Sequence, residues 1–301
     1  MWLYGDPIIA TGDVYHPWAE QAQALVQRGR AVFSDIDALG QDYDAVFVNC
    51  PKQREETEGL LALALDRSNG FVMCAADNDA GGGRLEGMMQ AYGAVAQKLS
   101  KSKARVVWTI DARRADRALV KQNLAYLAPQ QINLEGESWW SVPGLFGWDK
   151  IDPGSRLLLK HLPENIHGKV ADFGSGYGYL SVMLARNFQA VTKIDAYDAD
   201  IRAVVCSARN GGEKINAVWQ DICTLEAAPL YDTIVMNPPF HSGKEEKMVL
   251  GTIFIRKAWD SLLPGGRLLM VANRHLAYEK IVTDLTVAFE GEGYKIMTGQ
   301  K

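Results

Sequence analysis

Four short apolar runs in the second half of the chain, Lys169–Phe173, Val191–Tyr197, Asp232–Met236 and Arg267–Ala272, alternate with amphipathic stretches such as Tyr179–Asn187 and Ile201–Asn210. Runs of that length read as buried strands, and the stretches between them repeat apolar residues at the spacing of a helix face. A strand followed by a helix and another strand returns in the same direction, so the pattern predicts an α/β fold with a mostly parallel sheet covered on both faces. "LLPGGRLLMVAN" fits the scheme, because Pro264, Gly265 and Gly266 turn the chain before the last run. In such sheets ligands lie beyond the C-terminal ends of the strands. The residues that follow each run are therefore the candidates for chemistry.

The first run leads into "DFGSGYGYL". Asp172 closes the strand, and Gly174, Gly176 and Gly178, with Ser175 and Tyr177 between them, have the spacing of a turn that lets backbone approach a ligand closely. The helix beginning near Tyr179 presents its unpaired N–H groups there, so a nucleotide-like molecule is expected; a connecting loop without a ligand is the plainer alternative for the glycines alone. A dinucleotide fingerprint wants its third glycine at position 179, which is Tyr179, and the spacing leans from NAD towards S-adenosylmethionine. Asp198, followed by Ala199, ends the second strand in "KIDAYDAD" and is placed either to accept from ribose hydroxyls or to cap the next helix. Asp221, followed by Ile222, ends a third strand in "VWQDIC" and either accepts from an adenine amino group or serves its own turn.

"VMNPPFHSG" follows the third of the four runs. An exocyclic amine on a base is a poor nucleophile, since its lone pair is delocalised into the ring. Hydrogen bonds from its two N–H groups to the Asn237 side-chain oxygen and the Pro238 carbonyl would aim the nitrogen at a methyl group. Methyl transfer from a sulfonium needs alignment and desolvation more than a strong base. Pro238 and Pro239 stiffen the acceptors, and Phe240 offers a face for a planar base. An ordinary Pro-Pro turn with a buried Phe is the alternative. His241 either touches substrate or is a hydrogen-bonded structural histidine.

These segments resemble class I S-adenosylmethionine-dependent methyltransferases, specifically the guanine-N2 methyltransferases of small-subunit ribosomal RNA. The likeness runs through "VPGLFGWDKIDPGSRLLLKHLP", "GKVADFGSGYGYLSVMLAR", "YDTIVMNPPFHSG" and "GGRLLMVANRHLAYE", covers residues 140 to 301, and has "NPPFH" as its most specific element. It implies that Asp172, Gly174, Gly176, Asp198 and Asp221 hold the cofactor, that Asn237 to Phe240 form the acceptor site, and that Phe146 and Asp152 lie near the cofactor. The family's chain normally continues past "MTGQK" into one more strand, so the ending at Lys301 either omits that strand or departs from the family.

The first half carries an echo of the second. "YDAVFVNCP", Tyr43 to Pro51, aligns with "YDTIVMNPP", Tyr231 to Pro239, and "NGFVMCAADN" follows it as "GGRLLMVANR" follows its counterpart. Two strands repeating in order predict a duplicated domain. The first copy, residues 1–135, is expected to be degenerate, with no GxGxG loop and with Cys50 and Lys52 in place of Pro238 and Phe240; the second, 136–301, is expected to bind cofactor and catalyse. "DNDAGGGRLEG", Asp77 to Gly87, follows the wrong strand for a cofactor loop and reads as a flexible connection. From Lys98 to Lys121 lies a basic cluster of Lys98, Lys101, Lys103, Arg105, Arg113, Arg114, Arg117 and Lys121, faced by Asp111 and Asp116, with Trp108 between. It is either a set of phosphate contacts or a solvated helix face with a lysine-rich loop. The resemblance favours RNA, because the family's N-terminal domain handles RNA substrate.

Composition bounds what remains. A chain of 301 residues, 48% hydrophobic, has material for two cores, and a formal charge of −4 argues against indiscriminate nucleic-acid binding. Four scattered cysteines show no metal-ligand or disulfide spacing, and no long apolar run or leader pattern is visible. The expectation is a cytoplasmic monomer without metal, acting on ribosomal RNA or the small subunit. Within enzymes the alternative is N-methylation of adenine N6 or a protein glutamine; from another class, a non-catalytic RNA-binding or scaffold protein.

Overall fold

The computed structural model describes residues 1–5, 12–94, 96–238 and 244–301, for 244–247 the backbone only. The described residues of the first half form a seven-stranded sheet of β1 (Trp2–Leu3), β2 (Val14–Tyr15), β3 (Val32–Phe33), β4 (Tyr43–Asn49), β5 (Ser68–Asp77), β6 (Gln97–Lys101) and β7 (Ala104–Thr109). Their order is β3-β2-β1-β4-β5-β7-β6, and β7 alone runs antiparallel to its neighbours. Helices α1 (Ala19–Gln27), α2 (Arg54–Arg67), α3 (Leu85–Ala91) and α4 (Arg117–Leu124) accompany it. Leu60 to Leu65 of α2 are all buried, so the apolar middle of this helix is enclosed on every side while its charged residues lie towards its ends. "DNDAGGGRLEG" is an ordered connection: residues Asn78–Ala80 and Gly82–Arg84 form 3-10 turns that run straight into α3. A Cβ at Gly82 would stand 2.6 Å from the Ala76 carbonyl oxygen, so that glycine serves close packing and not looseness.

The second half begins with a hairpin, β8 (Gln130–Leu134) and β9 (Glu137–Ser141), and then builds the same sheet again from β10 (Gly168–Phe173), β11 (Val191–Asp198), β12 (Ile215–Trp219), β13 (Tyr231–Met236), β14 (Leu262–Asn273), β15 (Thr286–Gly291) and β16 (Tyr294–Gln300). The order β12-β11-β10-β13-β14-β16-β15 reproduces the first sheet place for place, with β16 antiparallel. "MTGQ" lies inside β16, where it pairs with β14. Helices α5 (Pro153–Lys160), α6 (Tyr179–Asn187), α7 (Ile201–Asn210) and α8 (Lys244–Ser261) complete the element list. Period-two alternation splits the sheet between two cores. Val170 and Val235 pack with Leu158, Leu180 and Leu184 on one face, while Ala171, Ile234 and Met236 pack with Phe254, Ile255 and Ala258 of α8 on the other.

The chain divides into two compact units, Met1–Gln130 with Val142–Gly144, and Gln131–Ser141 with Leu145–Lys301. The break therefore falls five residues before the expected one after residue 135. The cause is Asn210 at the end of α7: its Oδ1 accepts the Trp140 N–H at 2.7 Å and its Nδ2 donates to the Trp140 carbonyl at 2.8 Å, which ties β9 to the second unit.

Strand register makes the two units comparable residue by residue. Leu3 pairs with Tyr15 and Val48 as Phe173 pairs with Tyr197 and Met236. Tyr4 therefore stands where Gly174 stands, His16 where Asp198 stands, and Asn49 where Asn237 stands. The Tyr-Asp opening of each fourth strand has one structural use in both units: the Tyr43 hydroxyl donates to Asp13 at 2.5 Å and the Tyr231 hydroxyl to Asp195 at 3.0 Å, from equivalent strand positions. Each third strand leads into an Asp-Ile turn whose aspartate, Asp35 or Asp221, accepts the N–H two residues on.

Candidate cofactor and acceptor site

The glycine loop leaves β10 at Phe173, and Gly174, Gly176 and Gly178 all take left-handed backbone, with φ of 80°, 55° and 92°. Gly178 is the most constrained. A Cβ there would stand 2.7 Å from the Ser207 Oγ and 3.1 Å from the Ser207 Cα, so α7 packs directly against the loop. The Gly174 and Ser175 N–H groups both donate to the Tyr197 carbonyl at 2.9 Å, which pins the loop across the end of β11. Gly178 caps α6 without any side-chain acceptor, so the helix opens with N–H groups turned towards the loop. Tyr177 is buried against Trp139, edge to face at 5.8 Å.

Three acids follow the first three strands of this sheet. Asp172 is fully buried; its Oδ2 accepts the Ser181 hydroxyl at 2.7 Å and its Oδ1 has no hydrogen-bond partner. Burial, reinforced by the charge of Asp198, pushes its carboxyl up to about 7 against the pull of the Ser181 hydrogen bond. Asp198 accepts the Gly176 N–H at 2.8 Å on one oxygen and the Asp200 N–H at 2.9 Å on the other. Burial pushes it up to about 6, although both N–H groups favour its ionised form. The cap of α7 is Asp200, which accepts the Arg202 N–H at 2.9 Å, so the capping role considered for Asp198 belongs two residues later. Asp221 accepts the Cys223 N–H at 2.8 Å, the turn role foreseen as its alternative. Ala199 presents its carbonyl to the Trp219 indole N–H at 2.8 Å, and the side chain of Ile222 is buried in the core.

At the acceptor end, Asn237 directs its amide nitrogen inward, donating to Asp152 Oδ2 at 2.8 Å and to Ser155 Oγ at 2.9 Å. The amide oxygen accepts no hydrogen bond among the described residues. Asp152 is the N-cap of α5, with Pro153 at the first helical position, and its Oδ2 also accepts the Ser155 N–H at 2.8 Å. Pro238 is buried at the end of the strand; Pro239, Phe240 and His241 lie outside the described residues. Phe146, Asp152, Gly174, Ser175, Gly176, Tyr177 and Asn237 line one cleft together. Ser155, Tyr179 and Leu180 line it too and were not foreseen. The segment "DPGS" shows a helix start with its cap, but nothing local signals contact with a residue 82 positions away. Asp198, Ala199, Asp221 and Ile222 stand at neighbouring strand ends outside that cleft lining.

These residues fit a bound S-adenosylmethionine in kind: a loop of left-handed glycines, a helix opening, and two buried polar atoms, Asp172 Oδ1 and Ser175 Oγ, without partners.

In the first unit the β6–β7 hairpin separates members of the basic cluster along its length. Lys101 pairs with Ala104 at one end of the β6–β7 hairpin and Gln97 with Trp108 at the other, roughly 13 Å away at strand rise. Lys101, Lys103 and Arg105 belong to the first end, while Arg113 and Arg114 follow the second and share Asp111 at 3.4 and 3.2 Å. Lys98 pairs with Glu86 at 2.6 Å, and Arg117 donates to the Leu65 carbonyl at 3.0 Å. Lys101, Lys103 and Lys121 are exposed and have no acidic partner among the described residues. A concavity of about 230 Å³ lined by Gln97, Trp108, Thr109, Ile110, Asp111 and Arg114 lies at the Arg114 end.

The Methyltransferase small domain model matches residues 137–298. The ribosomal RNA small subunit methyltransferase C of Pseudomonas paraeruginosa is 30% identical over 320 residues, covering 99% of this chain and 93% of that protein. The protein of that name from Pseudomonas aeruginosa strain LESB58 is 33% identical over 298 residues, covering 94% and 86%. Among solved structures, the T. thermophilus 16S rRNA N2 G1207 methyltransferase in complex with AdoMet and guanosine superposes with a TM-score of 0.79 at 24% identity, over 96% of this chain and 82% of that one. That likeness extends the shared fold to both units. With two sheets of one strand order, a glycine loop in the second, and sequence identity sustained over nearly the whole length, the chain belongs to the ribosomal RNA small subunit methyltransferase C family.

Proposed function

We propose that the protein transfers the methyl group of S-adenosylmethionine to the exocyclic N2 amine of a guanine in small-subunit ribosomal RNA. The observation that carries this reading is the Asn237 amide, whose two N–H groups are held by Asp152 and Ser155 and whose oxygen, which accepts no hydrogen bond among the described residues, can receive a donor at the strand mouth. An amine with two N–H groups is the donor that such an oxygen and the Pro238 carbonyl suit together. By accepting both protons they turn the nitrogen lone pair out of conjugation and take up part of the positive charge that grows on it. The cofactor supplies an electrophilic methyl on a sulfonium, which makes a strong base unnecessary. The Gly174 to Gly178 loop and the opening of α6 would hold its amino-acid part, Asp198 its ribose hydroxyls, and Asp221, Ile222 and Ala199 would border its adenine. Phe146 and Tyr177 would keep water from the reacting atoms. The names of the relatives supply the substrate class.

The first unit has Tyr4 where the loop glycine belongs, and its hydroxyl donates to Glu56 at 2.8 Å, so the side chain ties the end of β1 to the first turn of α2. Its proposed role is RNA handling, with Lys101, Lys103 and Lys121 as phosphate contacts and Arg105, Arg113 and Arg114 as weaker ones because carboxylates or backbone already hold them. Arg117, engaged with Leu65, serves the fold first.

The test is transfer of a labelled methyl group to unmodified small-subunit RNA, followed by nuclease digestion and mass spectrometry. N2-methylguanosine is the expected product. N6-methyladenosine, or label in protein glutamine, would replace the guanine reading; bound cofactor without any transfer would leave a binding protein.

A further inference from the structure

We propose that Asp152 and Ser155 are positioning residues that set the direction of the Asn237 acceptor oxygen, a role that rests on reading Asn237 as the group receiving the substrate amine. The two residues sit at the start of α5, 85 and 82 positions before Asn237 in the chain, and reach it at 2.8 and 2.9 Å. A side-chain amide has two faces that differ only in which end donates. If this one turned over, its oxygen would face Asp152 Oδ2 with no proton between two acceptors. The carboxylate therefore selects one orientation; Ser155, whose hydroxyl accepts here, holds the second N–H of the amide in that orientation.

Asp152 is itself held in place. As the N-cap of α5 it accepts the Ser155 N–H at 2.8 Å with the same oxygen that holds Asn237, and Pro153 fixes the backbone immediately after it. Orientation is thus passed from a helix end to a strand end through one carboxylate oxygen. The first unit supplies the comparison. Asn49 occupies the same register position at the end of β4, yet it is exposed and its side chain has no hydrogen-bond partner among the described residues. Bracing of this asparagine is not a by-product of the sheet; it accompanies the glycine loop.

Asp152 then has a different task from the cofactor contact that the resemblance implies, and the two are separable. Asp152→Ser keeps a capping oxygen for the Ser155 N–H but is too short to reach Asn237, whereas Asp152→Asn keeps a carbonyl oxygen at full reach. Single-turnover transfer to unmodified small-subunit RNA transcribed in vitro, and calorimetric S-adenosylmethionine affinity, are measured on the full chain for Asp152→Ser, Asp152→Asn, Ser155→Ala, Asn237→Ala and the double variant Asp152→Ser with Asn237→Ala. The expected result is a fall of about 100-fold in transfer rate for Asp152→Ser with cofactor affinity within about twofold of the parent, and substantial recovery in Asp152→Asn. Ser155→Ala falls less, and the double variant is no slower than Asn237→Ala alone. Weaker cofactor binding with an unchanged transfer rate in Asp152→Ser overturns the proposal in favour of a cofactor contact. Losses that add in the double variant overturn it as well, since Asp152 would then act by another route. If Asn237→Ala keeps the parent's rate, the acceptor reading itself fails; if Asn237→Ala is inactive while Asp152→Ser and Ser155→Ala are not, only the positioning role fails.

Discussion

Replacing Asp172 by Asn is expected to stabilise the cofactor-free protein and weaken its cofactor binding at the same time. The carboxyl is pushed from 3.8 in its ordinary state to about 7 in the fold, mainly by burial. A carboxylate whose folded value is raised destabilises the fold when ionised: the cost is complete above pH 7 and disappears as pH falls below 3.8. The difference of about 3.2 units corresponds to roughly 4 kcal/mol at pH 8, at about 1.36 kcal/mol per unit. Asn keeps the shape and can still accept from Ser181, but its Nδ2 would take the place of Oδ1, which has no partner, at a cost of about 1 to 3 kcal/mol. The net gain of about 1 to 3 kcal/mol should raise the melting midpoint of the second unit by roughly 5 °C at pH 8. The gain should shrink as pH falls below 7. Differential scanning calorimetry between pH 5 and 8, with and without S-adenosylmethionine, reads both effects. A variant that melts lower than the parent at pH 8 and binds cofactor equally well would refute the reasoning, because burial of an uncompensated charge would then not be a cost that the site tolerates for its ligand.

In that same variant Asp198, raised to about 6, titrates without Asp172 beside it, so cofactor affinity measured by calorimetry should hold above pH 7 and fall about tenfold per unit below pH 6, as the acceptor for ribose hydroxyls is protonated. Gly178→Ala places a Cβ 2.7 Å from the Ser207 Oγ on left-handed backbone; we expect a loss of about 1 to 3 kcal/mol in stability and a cofactor dissociation constant raised about tenfold or more, read by thermal melting and calorimetry. Lys101→Ala with Lys103→Ala should flatten the salt dependence of RNA affinity by about 0.7 to 0.9 per lost phosphate contact, measured by fluorescence anisotropy, with cofactor affinity unchanged. The same slope in variant and parent would make that hairpin end a solvated surface.

Local signals were legible and distant ones were not. The boundaries of α6 and α7 follow from helical spacing within nine or ten residues, and the glycine loop follows from three residues in five. The strands β1, β2 and β3 are two residues each, too short for any periodicity to show, so the first sheet could be foreseen only from the echo of β4 and β5. The Tyr43–Asp13 pairing spans 30 positions and the Asn237–Asp152 pairing 85. No spacing rule reaches that far; strand register does. For the basic cluster the distance works in the opposite sense. Its members are close in sequence, but a hairpin carries neighbours in the chain to opposite ends of two strands, and Asp111 and Glu86 take up charges that composition counts as free.

A chain with two copies of one sheet carries a record of what each position answers to. The Tyr–Asp pairs at Tyr43 and Tyr231 and the capped turns at Asp35 and Asp221 persist in both copies, so they track the requirements of folding, and Asp221 is held by its turn whatever else it does. Tyr4 and His16 stand where Gly174 and Asp198 stand in the other copy, so the shared sheet itself demands neither the glycine nor the aspartate. Asn49 keeps the residue type of Asn237 without a hydrogen-bond partner among the described residues, so the shared sheet accepts an asparagine at that place with or without bracing.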